Sequence, residues 1–226
     1  GTVWGSSVSF VTKPNEPTGL TATKNSDTSI SLSWTKGAGA TNTYIRVKTT
    51  GYPSNTSDGT LIYSGTASTY TYTGLTAGTT YYFRAWSYTT SYSDSYSSDS
   101  LLLVGNPSVT SDSATNITDI AARLNGNLTG NGGLDATVTV YYGDNDGGTT
   151  AENWDYNYSF GVVGVGALYY DITGLDADTT YYYRFKAVNS QGTTWASSTS
   201  SFSTYPEPAI TIVAASQIAK TSARLN

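Results

Sequence analysis

The densest group of acidic side chains in this sequence lies in one short stretch, 144–155, among asparagines and glycines. Its carboxylates belong to Asp144, Asp146, Glu152 and Asp155. A calcium ion needs several oxygen ligands on one turn, so this stretch is a candidate calcium loop. The spacing departs from the EF-hand template, because Gly148 stands where a third ligand is needed and Thr149 replaces the required glycine. We favour the alternative of a solvated hairpin turn, since Asp, Asn and Gly tolerate positive φ.

The chain lacks three side chains that are common in catalytic and metal sites. It contains no His, no Cys and no Met. Without His it lacks the usual proton carrier at neutral pH, and without His and Cys the usual zinc, haem and iron–sulfur ligands are missing. Glycosidase chemistry needs two carboxylates across a cleft, and nothing in the sequence brings a second pair to the acidic stretch. We therefore predict a protein that is not an enzyme, with no catalytic residue, no resident metal and no cofactor.

A second set of chemically capable residues combines aromatic rings with cations. Tyr81, Phe83 and Ala85 form one predicted inward row, and Ile45 and Val47 form another on a neighbouring strand. Strand alternation then turns the intervening side chains outward. This predicted outer surface, called here the aromatic–cation face, consists of Tyr44, Arg46, Lys48, Tyr82, Arg84, Trp86 and Tyr88.

Two interpretations of the aromatic–cation face are open. Exposed Trp and Arg are enriched at binding hot spots, so the face could dock carbohydrate or another subunit. Alternatively, the rings and cations form an internal ladder of cation–π pairs, each worth about 0.5–1 kcal/mol when exposed. We favour the ladder.

Two other groups of residues are candidates for contact with carbohydrate, one by binding it and one by carrying it. Trp154, Tyr156 and Tyr158 could bind a sugar, although we favour a tryptophan that covers the end of its own domain. The N-glycosylation acceptor pattern occurs at Asn55, Asn116, Asn127 and Asn157. A chain rich in Asn, Ser and Thr produces several such matches by chance.

A twelve-residue sequence segment that occurs twice indicates which secondary-structure elements position the candidate residues. TGLTAGTTYYFR at 73–84 returns as TGLDADTTYYYR at 173–184, one hundred positions later. Short alternating runs bounded by Gly, Asn, Asp and Pro surround both copies, and tyrosine is frequent, at 20 residues of 226. These are the signals of strands in sandwiches or barrels, and we find no long helical periodicity. The fold prediction is therefore all-β, with tandem β-sandwiches.

The repeat also predicts the domain boundaries. The first complete unit runs over 14–105 and contains the strand Ile30, Leu32 and Trp34. The second runs over 106–206, where Ile120, Ala122 and Leu124 are expected to take the place of that strand, with Leu124 where the tryptophan would stand.

The two ends resemble parts of the second unit. Residues 1–13 resemble its last strand, and 207–226 resemble its opening strands. We expect them to be the last strand of an upstream repeat and the first strands of a downstream one. Truncation of a longer chain explains such ends, and strand pairing between subunits, which would give a filament, is the alternative.

The first unit resembles a fibronectin type III domain. The resemblance lies in Ile30 to Trp34, with its core tryptophan, and in the segment from Gly74 to Arg84, where Ala77 replaces the family's usual proline. It implies an immunoglobulin-like sandwich in which Tyr81 is the corner tyrosine, with a hydroxyl that bonds to nearby backbone. The second unit resembles a divergent relative of the kind repeated in large bacterial and archaeal surface proteins. Because this sandwich hosts many unrelated roles, the resemblance bears on fold more than on function.

Composition limits the partners. Charged residues make up only 12% of the chain, the net charge is −5 and the 11 basic residues are scattered along the sequence, so we expect no basic stripe for nucleic acid. No apolar run approaches the roughly 20 residues that span a bilayer, so we expect no membrane insertion in this segment. The absence of oxidisable sulfur suits an extracellular or cell-surface location.

The functional prediction is a non-catalytic structural repeat of a long extracellular protein: a fibre, stalk, surface layer or adhesin, with self-assembly into filaments as a sharper version. Its expected partners are copies of itself or neighbouring repeats. The alternatives are a polysaccharide-binding or spacer module of a secreted glycan-degrading enzyme, and a segment of a virus fibre.

Overall fold

A computed structural model describes residues 12–210 of the chain, together with two short strands at 216–219 and 222–224. The predicted all-β fold is confirmed. The first seven strands are β1 (Thr18–Ser26), β2 (Ser29–Thr35), β3 (Asn42–Lys48), β4 (Thr60–Gly65), β5 (Thr69–Thr73), β6 (Thr79–Tyr88) and β7 (Ser97–Leu103). They form a three-stranded sheet of order β1-β2-β5 and a four-stranded sheet of order β4-β3-β6-β7, with antiparallel neighbours.

The next strands build a second sandwich. They are β8 (Ser108–Ser111), β9 (Ala121–Gly130), β10 (Ala136–Gly143), β11 (Tyr156–Val163), β12 (Gly166–Thr173), β13 (Thr180–Asn189), β14 (Gly192–Trp195) and β15 (Ser200–Ser203). One turn of 3₁₀ helix, Ala151–Asn153, precedes β11. Among the described residues, no helix is both long and apolar enough to cross a bilayer.

The two sandwiches share one strand order. The second consists of a sheet β12-β9-β8 and a sheet β11-β10-β13, in which both β14 and β15 pair with β13. Strand for strand this repeats the first sandwich, with the last strand broken in two. The chain is therefore a tandem of two sandwiches of the same topology.

Beyond the second sandwich, β16 (Ser216–Ala219) and β17 (Ser222–Arg224) pair with each other. The predicted upstream strand at 1–13 lies almost wholly outside the described residues.

Each sandwich buries its own apolar core. The predicted inward residues Ile45, Val47, Phe83 and Ala85 are all buried in the first core. Alternation also places every second residue of β13 in the second core, namely Tyr181, Tyr183, Phe185 and Ala187. Every second residue of a strand points to one face, so the sequence period of two determines which side chains meet between the sheets.

A tyrosine corner closes each sandwich, as the family resemblance implied for Tyr81. The hydroxyl of Tyr81 accepts a hydrogen bond from the backbone N–H of Thr76 at 2.9 Å. The hydroxyl of Tyr181 accepts one from the N–H of Asp176 at 3.0 Å. The repeated phrase in the sequence thus encodes the same turn twice.

The predicted place of the core tryptophan in the second sandwich is wrong. Leu32 pairs with Tyr70, and Leu124 pairs with Tyr170, so Leu124 corresponds to Leu32. Two residues further along, the counterpart of Trp34 is Gly126. Ile120, expected within this strand, lies before β9 and is 57% exposed. The pattern of apolar positions does not indicate this correspondence, because a glycine at the tryptophan site supplies no apolar side chain.

Candidate docking face

The strand register brings the predicted aromatic–cation face together. In the β3–β6 pair, Tyr44 lies opposite Trp86, Arg46 opposite Arg84, and Lys48 opposite Tyr82. Two arginines directly opposite each other are unfavourable on a sheet. Their side chains diverge to different acceptors, Arg46 to the carbonyl of Gly59 and Arg84 to that of Pro53.

Arg84 lies at the centre of a ladder of rings. Its guanidinium carbon is 3.9 Å from the ring centroid of Tyr96 and 5.5 Å from that of Tyr52. The ladder continues at both ends through edge contacts, from Tyr52 to Tyr82 and from Tyr96 to Trp86. Arg84 Nη1 also donates to the carbonyl of Pro53 at 2.6 Å, which holds the loop between β3 and β4 against the sheet.

Trp86 is buried, whereas the sequence predicted an exposed side chain on the aromatic–cation face. It lies on the outer side of the sheet, yet only 4% of its surface is exposed, because it is covered by the segment that joins β6 to β7. That segment is held by a backbone hydrogen bond from Ser93 to Ser87 and by the ring of Tyr96. Strand periodicity predicted the correct side of the sheet, but it contains no information about a loop that folds back over it.

The remaining cations of the face are bound within the sandwich. Arg46 Nη1 donates to the carbonyl of Gly59 at 2.7 Å. Lys48 Nζ lies 3.1 Å from a carboxylate oxygen of Asp58. The same oxygen accepts from the backbone N–H and the hydroxyl of Ser54, and these bonds together with Lys48 lower the pKa of Asp58 to about 2.

Three tyrosines that sequence reasoning did not single out complete this face. Tyr52 and Tyr96 bracket Arg84, and Tyr92 packs edge-on against Tyr44 and closely against Tyr88. All three lie outside the strands, in the loops 49–59 and 89–96. The frequency of tyrosine was the one available signal, since loop residues follow no period that places them over a sheet.

The second sandwich repeats this device with other residues. Lys186, at the position corresponding to Trp86, has its Nζ 4.9 Å from the ring centroid of Tyr141 and 5.3 Å from that of Trp195. Arg184 Nε donates to the carbonyl of Ala196 at 2.8 Å. In both sandwiches, therefore, aromatic rings flank a cation on the outer side of the larger sheet.

Hydrogen bonds to two of its carboxylates organise the acidic stretch. Asp155 Oδ2 accepts from the backbone N–H of Asp144 at 3.2 Å. Asp146 Oδ1 accepts from the N–H of Gly148 and from the hydroxyl of Thr199, both at 2.9 Å. Among the residues that the structure describes, no three His, Cys, Asp or Glu side chains are grouped closely enough to hold a metal ion. These contacts are those of a closed turn.

The candidate sugar-binding aromatics divide into one buried and two exposed residues. Trp154 is 7% exposed and packs on Gly147, as expected of a tryptophan that covers the end of its own sandwich. Tyr156 and Tyr158 are exposed on the edge strand β11. Tyr156 also lines an open cavity of about 590 Å³ beside the acidic stretch, with Tyr142, Asp144, Asp155, Asp176 and Tyr181.

The four glycosylation motifs lie in different surroundings. Asn55, Asn116 and Asn157 are exposed. Asn127 lies in the central strand β9 and its side-chain oxygen is buried. The first three side chains are therefore presented to solvent in a way that Asn127 is not.

A family model and several solved structures are similar to this chain. Residues 15–100 match the family model of the fibronectin type III domain. No curated protein matches the chain. Among solved structures, the chain is similar to the chicken CNTN1 FN1–FN3 domains, at 17% identity and a TM-score of 0.48, over 91% of this chain and 72% of that one. It is also similar to a two-domain fibronectin type III segment of chicken tenascin, at 18% identity and a TM-score of 0.43, over 84% of this chain and 100% of that one.

A third similar structure is bacterial. It is the sensor domain of the anti-sigma factor RsgI4 of Pseudobacteroides cellulosolvens, at 18% identity and a TM-score of 0.34, over 46% of this chain and 98% of that one. The family match, the sandwich topology and the tyrosine corner agree on the first unit, and the second repeats its strand order in a divergent sequence. Residues 15–100 of this chain form a fibronectin type III domain, the first of two tandem sandwiches.

Proposed function

We propose that this chain is a non-catalytic structural segment of an extracellular or cell-surface protein, in which the two sandwiches are consecutive rigid beads of a stalk or fibre. Domains of this family are generally non-catalytic modules and are typically found outside the cell or at its surface. The observation that carries the proposal is the internal use of the aromatic–cation face. Its cations are bound by carbonyls, a carboxylate and rings of the same sandwich.

A stalk must also hold the domains at its two ends apart, which requires units that stay folded and a connection of limited flexibility. Each sandwich has its own core, so each can persist while its neighbours are pulled or bent. Only four residues, 104–107, separate β7 from β8. A connection this short limits the relative freedom of the two beads.

The sheet β1-β2-β5 supplies a surface for the lateral contacts of a fibre. Its outer side carries two cross-strand rows of hydroxyl side chains, Thr21–Ser33–Thr69 and Thr23–Ser31–Thr71. A neutral surface of this kind repels a second copy little. Side-by-side association of copies of this chain, and filaments built from them, therefore belong to the proposal.

A carbohydrate-binding role is the second candidate, and the exposure of Tyr156 favours it. This ring is 60% exposed, stacks on Tyr142 and borders the open cavity. Sugars bind on exposed aromatic faces flanked by polar groups. Trp86 and Trp154, the tryptophans considered first for this role, are buried.

One pair of variants distinguishes the two candidates. Binding of the intact chain to a panel of neutral polysaccharides is measured beside Tyr156→Ala, with Tyr205→Ala as the matched exposed control. The structural proposal expects no binding above background for any of the three. Saturable binding that Tyr156→Ala abolishes and Tyr205→Ala preserves would replace it with the carbohydrate role.

A further inference from the structure

The junction between the two sandwiches is a built interface. On the first sandwich it uses the β1–β2 turn at Asp27, the turn at Gly78 and the end of β7. On the second it uses the loop 131–134 and the turn that joins β13 to β14. These segments meet around the connecting residues 104–107, of which Gly105 and Pro107 are buried.

Asn189 lies at the centre of this interface and is 9% exposed. Its Nδ2 donates to the carbonyl of Gly105 at 2.8 Å and to that of Asn131 at 2.9 Å. Its Oδ1 accepts from the backbone N–H groups of Gln191 at 2.9 Å and Gly192 at 3.1 Å. Both donors and both acceptor positions of the amide are thus used, and one side chain ties the connecting segment to two loops of the second sandwich.

Backbone contacts across the junction leave no room for side chains. The N–H of Gly105 donates to the carbonyl of Gly132 at 2.9 Å. A Cβ on Gly132 would lie 2.0 Å from the carbonyl oxygen of Gly105, and one on Gly133 would lie 2.9 Å from Cα of Gly78. Both loop glycines have positive φ, at 67° and 78°, which other residues rarely adopt.

Polar side chains extend the interface. Asp27 accepts from the backbone N–H of Asn106 at 3.3 Å and pairs with Lys24 at 2.8 Å. Lys24 in turn donates to Gln191 of the second sandwich at 2.9 Å. Contacts from both sandwiches therefore converge on the same connecting segment.

We propose that this junction fixes the angle between the two sandwiches, so that they move as one body, and that the Asn189 amide is the pin. The reason is that rotation of the connecting segment against the second sandwich would take the Gly105 carbonyl away from Asn189 Nδ2 and leave a buried donor without its partner. The inference rests on contacts within the chain and does not require that the chain be a stalk.

Residual dipolar couplings of backbone amides in the full chain test the proposal, because they report whether the two sandwiches share one alignment tensor. The variant is Asn189→Asp, which keeps the oxygen that accepts from Gln191 and Gly192 and removes the donor to the carbonyls of Gly105 and Asn131. The matched control is Asn145→Asp, because Asn145 Nδ2 also donates to a backbone carbonyl, that of Asn153, at the other end of the second sandwich.

The proposal expects one shared tensor for the wild type and for Asn145→Asp, and two different tensors for Asn189→Asp. Two tensors in the wild type would overturn the fixed angle, and one shared tensor in Asn189→Asp would overturn the role of the amide. If Asn189→Asp does not fold, insertion of Gly-Ser-Gly-Ser after Asn106 leaves both cores intact. That insertion is expected to separate the tensors, and a tensor still shared would overturn the proposal.

Discussion

Phe185 fills the space that a side chain at position 126 would occupy, since a Cβ on Gly126 would lie 2.7 Å from its ring. The first sandwich solves the same packing problem in reverse. There Trp34 holds the position of Gly126, and Ala85 holds that of Phe185. The indole N–H of Trp34 donates to the buried hydroxyl of Thr43 at 3.1 Å, and Val138, whose side chain has no acceptor, stands at the corresponding place in the second sandwich. A large and a small residue have exchanged sides of the core.

This exchange predicts strong coupling between Gly126 and Phe185. Gly126→Ala alone is expected to lower the free energy of unfolding of the second sandwich by about 1–3 kcal/mol through overpacking. Phe185→Ala alone is expected to cost about 3–5 kcal/mol through the cavity that it creates. In the double variant the new methyl group enters that cavity, so the two costs do not add, and we expect a coupling of about 0.5–3 kcal/mol.

Native-state hydrogen exchange of the β13 amides measures this cycle in the full chain. Gly164→Ala is the control, because a Cβ there meets nothing within 4 Å. Additive costs in the double variant would show that the two positions do not share one space.

The tyrosine corners predict a loss of stability from the removal of one oxygen atom. Tyr81→Phe leaves the N–H of Thr76 without its acceptor, and Tyr181→Phe does the same to Asp176. Each is expected to destabilise its own sandwich by about 1–3 kcal/mol. Chemical denaturation of the two variants, with the exposed Tyr205→Phe as control, checks this, and a corner variant as stable as the control would contradict it.

The sequence was sufficient for the fold and for which side of each strand faces the core. Alternation predicted that Phe83 is buried, and the repeated segment predicted two units. The corner role of Tyr81 was implied by the family resemblance, and that of Tyr181 emerged from the structure. It was insufficient where a residue's environment comes from another element. Trp86 is covered by a loop, and the place of Trp34 is held in the second unit by Gly126, because the ring of Phe185 reaches across from the opposite sheet. Such arrangements depend on how side chains from different elements fit together in space. The residue pattern of a single strand carries no information about that fit.

Acid is predicted to loosen the loop held by Asp58. The pKa of Asp58 is lowered from 3.8 to about 2. The largest cause is the hydrogen bond from the Ser54 backbone N–H, followed by those from Lys48 and the Ser54 hydroxyl. A carboxyl with a lowered pKa in the folded state contributes stability above its ordinary pKa, and this contribution is lost as the pH falls through the lowered value. Stability of the first sandwich is therefore expected to decline between about pH 4 and pH 2.

Asp58→Asn tests this acid dependence. The variant should show a shallower decline over that range than the wild type, because it removes the titrating group. Urea unfolding at a series of pH values, followed separately in β6 and β13, provides the measurement and an internal control. A wild-type decline retained in β6 of the variant would contradict the assignment.

The coupling free energy between Arg84 and Tyr96 tests most directly whether the aromatic–cation face serves the sandwich itself. A double-mutant cycle of Arg84→Gln and Tyr96→Leu, measured by hydrogen exchange of the β6 amides, gives that quantity without reference to any ligand. With the guanidinium 3.9 Å from the ring centroid, we predict a favourable coupling of about 0.5–2 kcal/mol. A coupling of zero would mean that these residues do not stabilise each other. It would contradict the internal ladder and favour the alternative that the face is a docking surface.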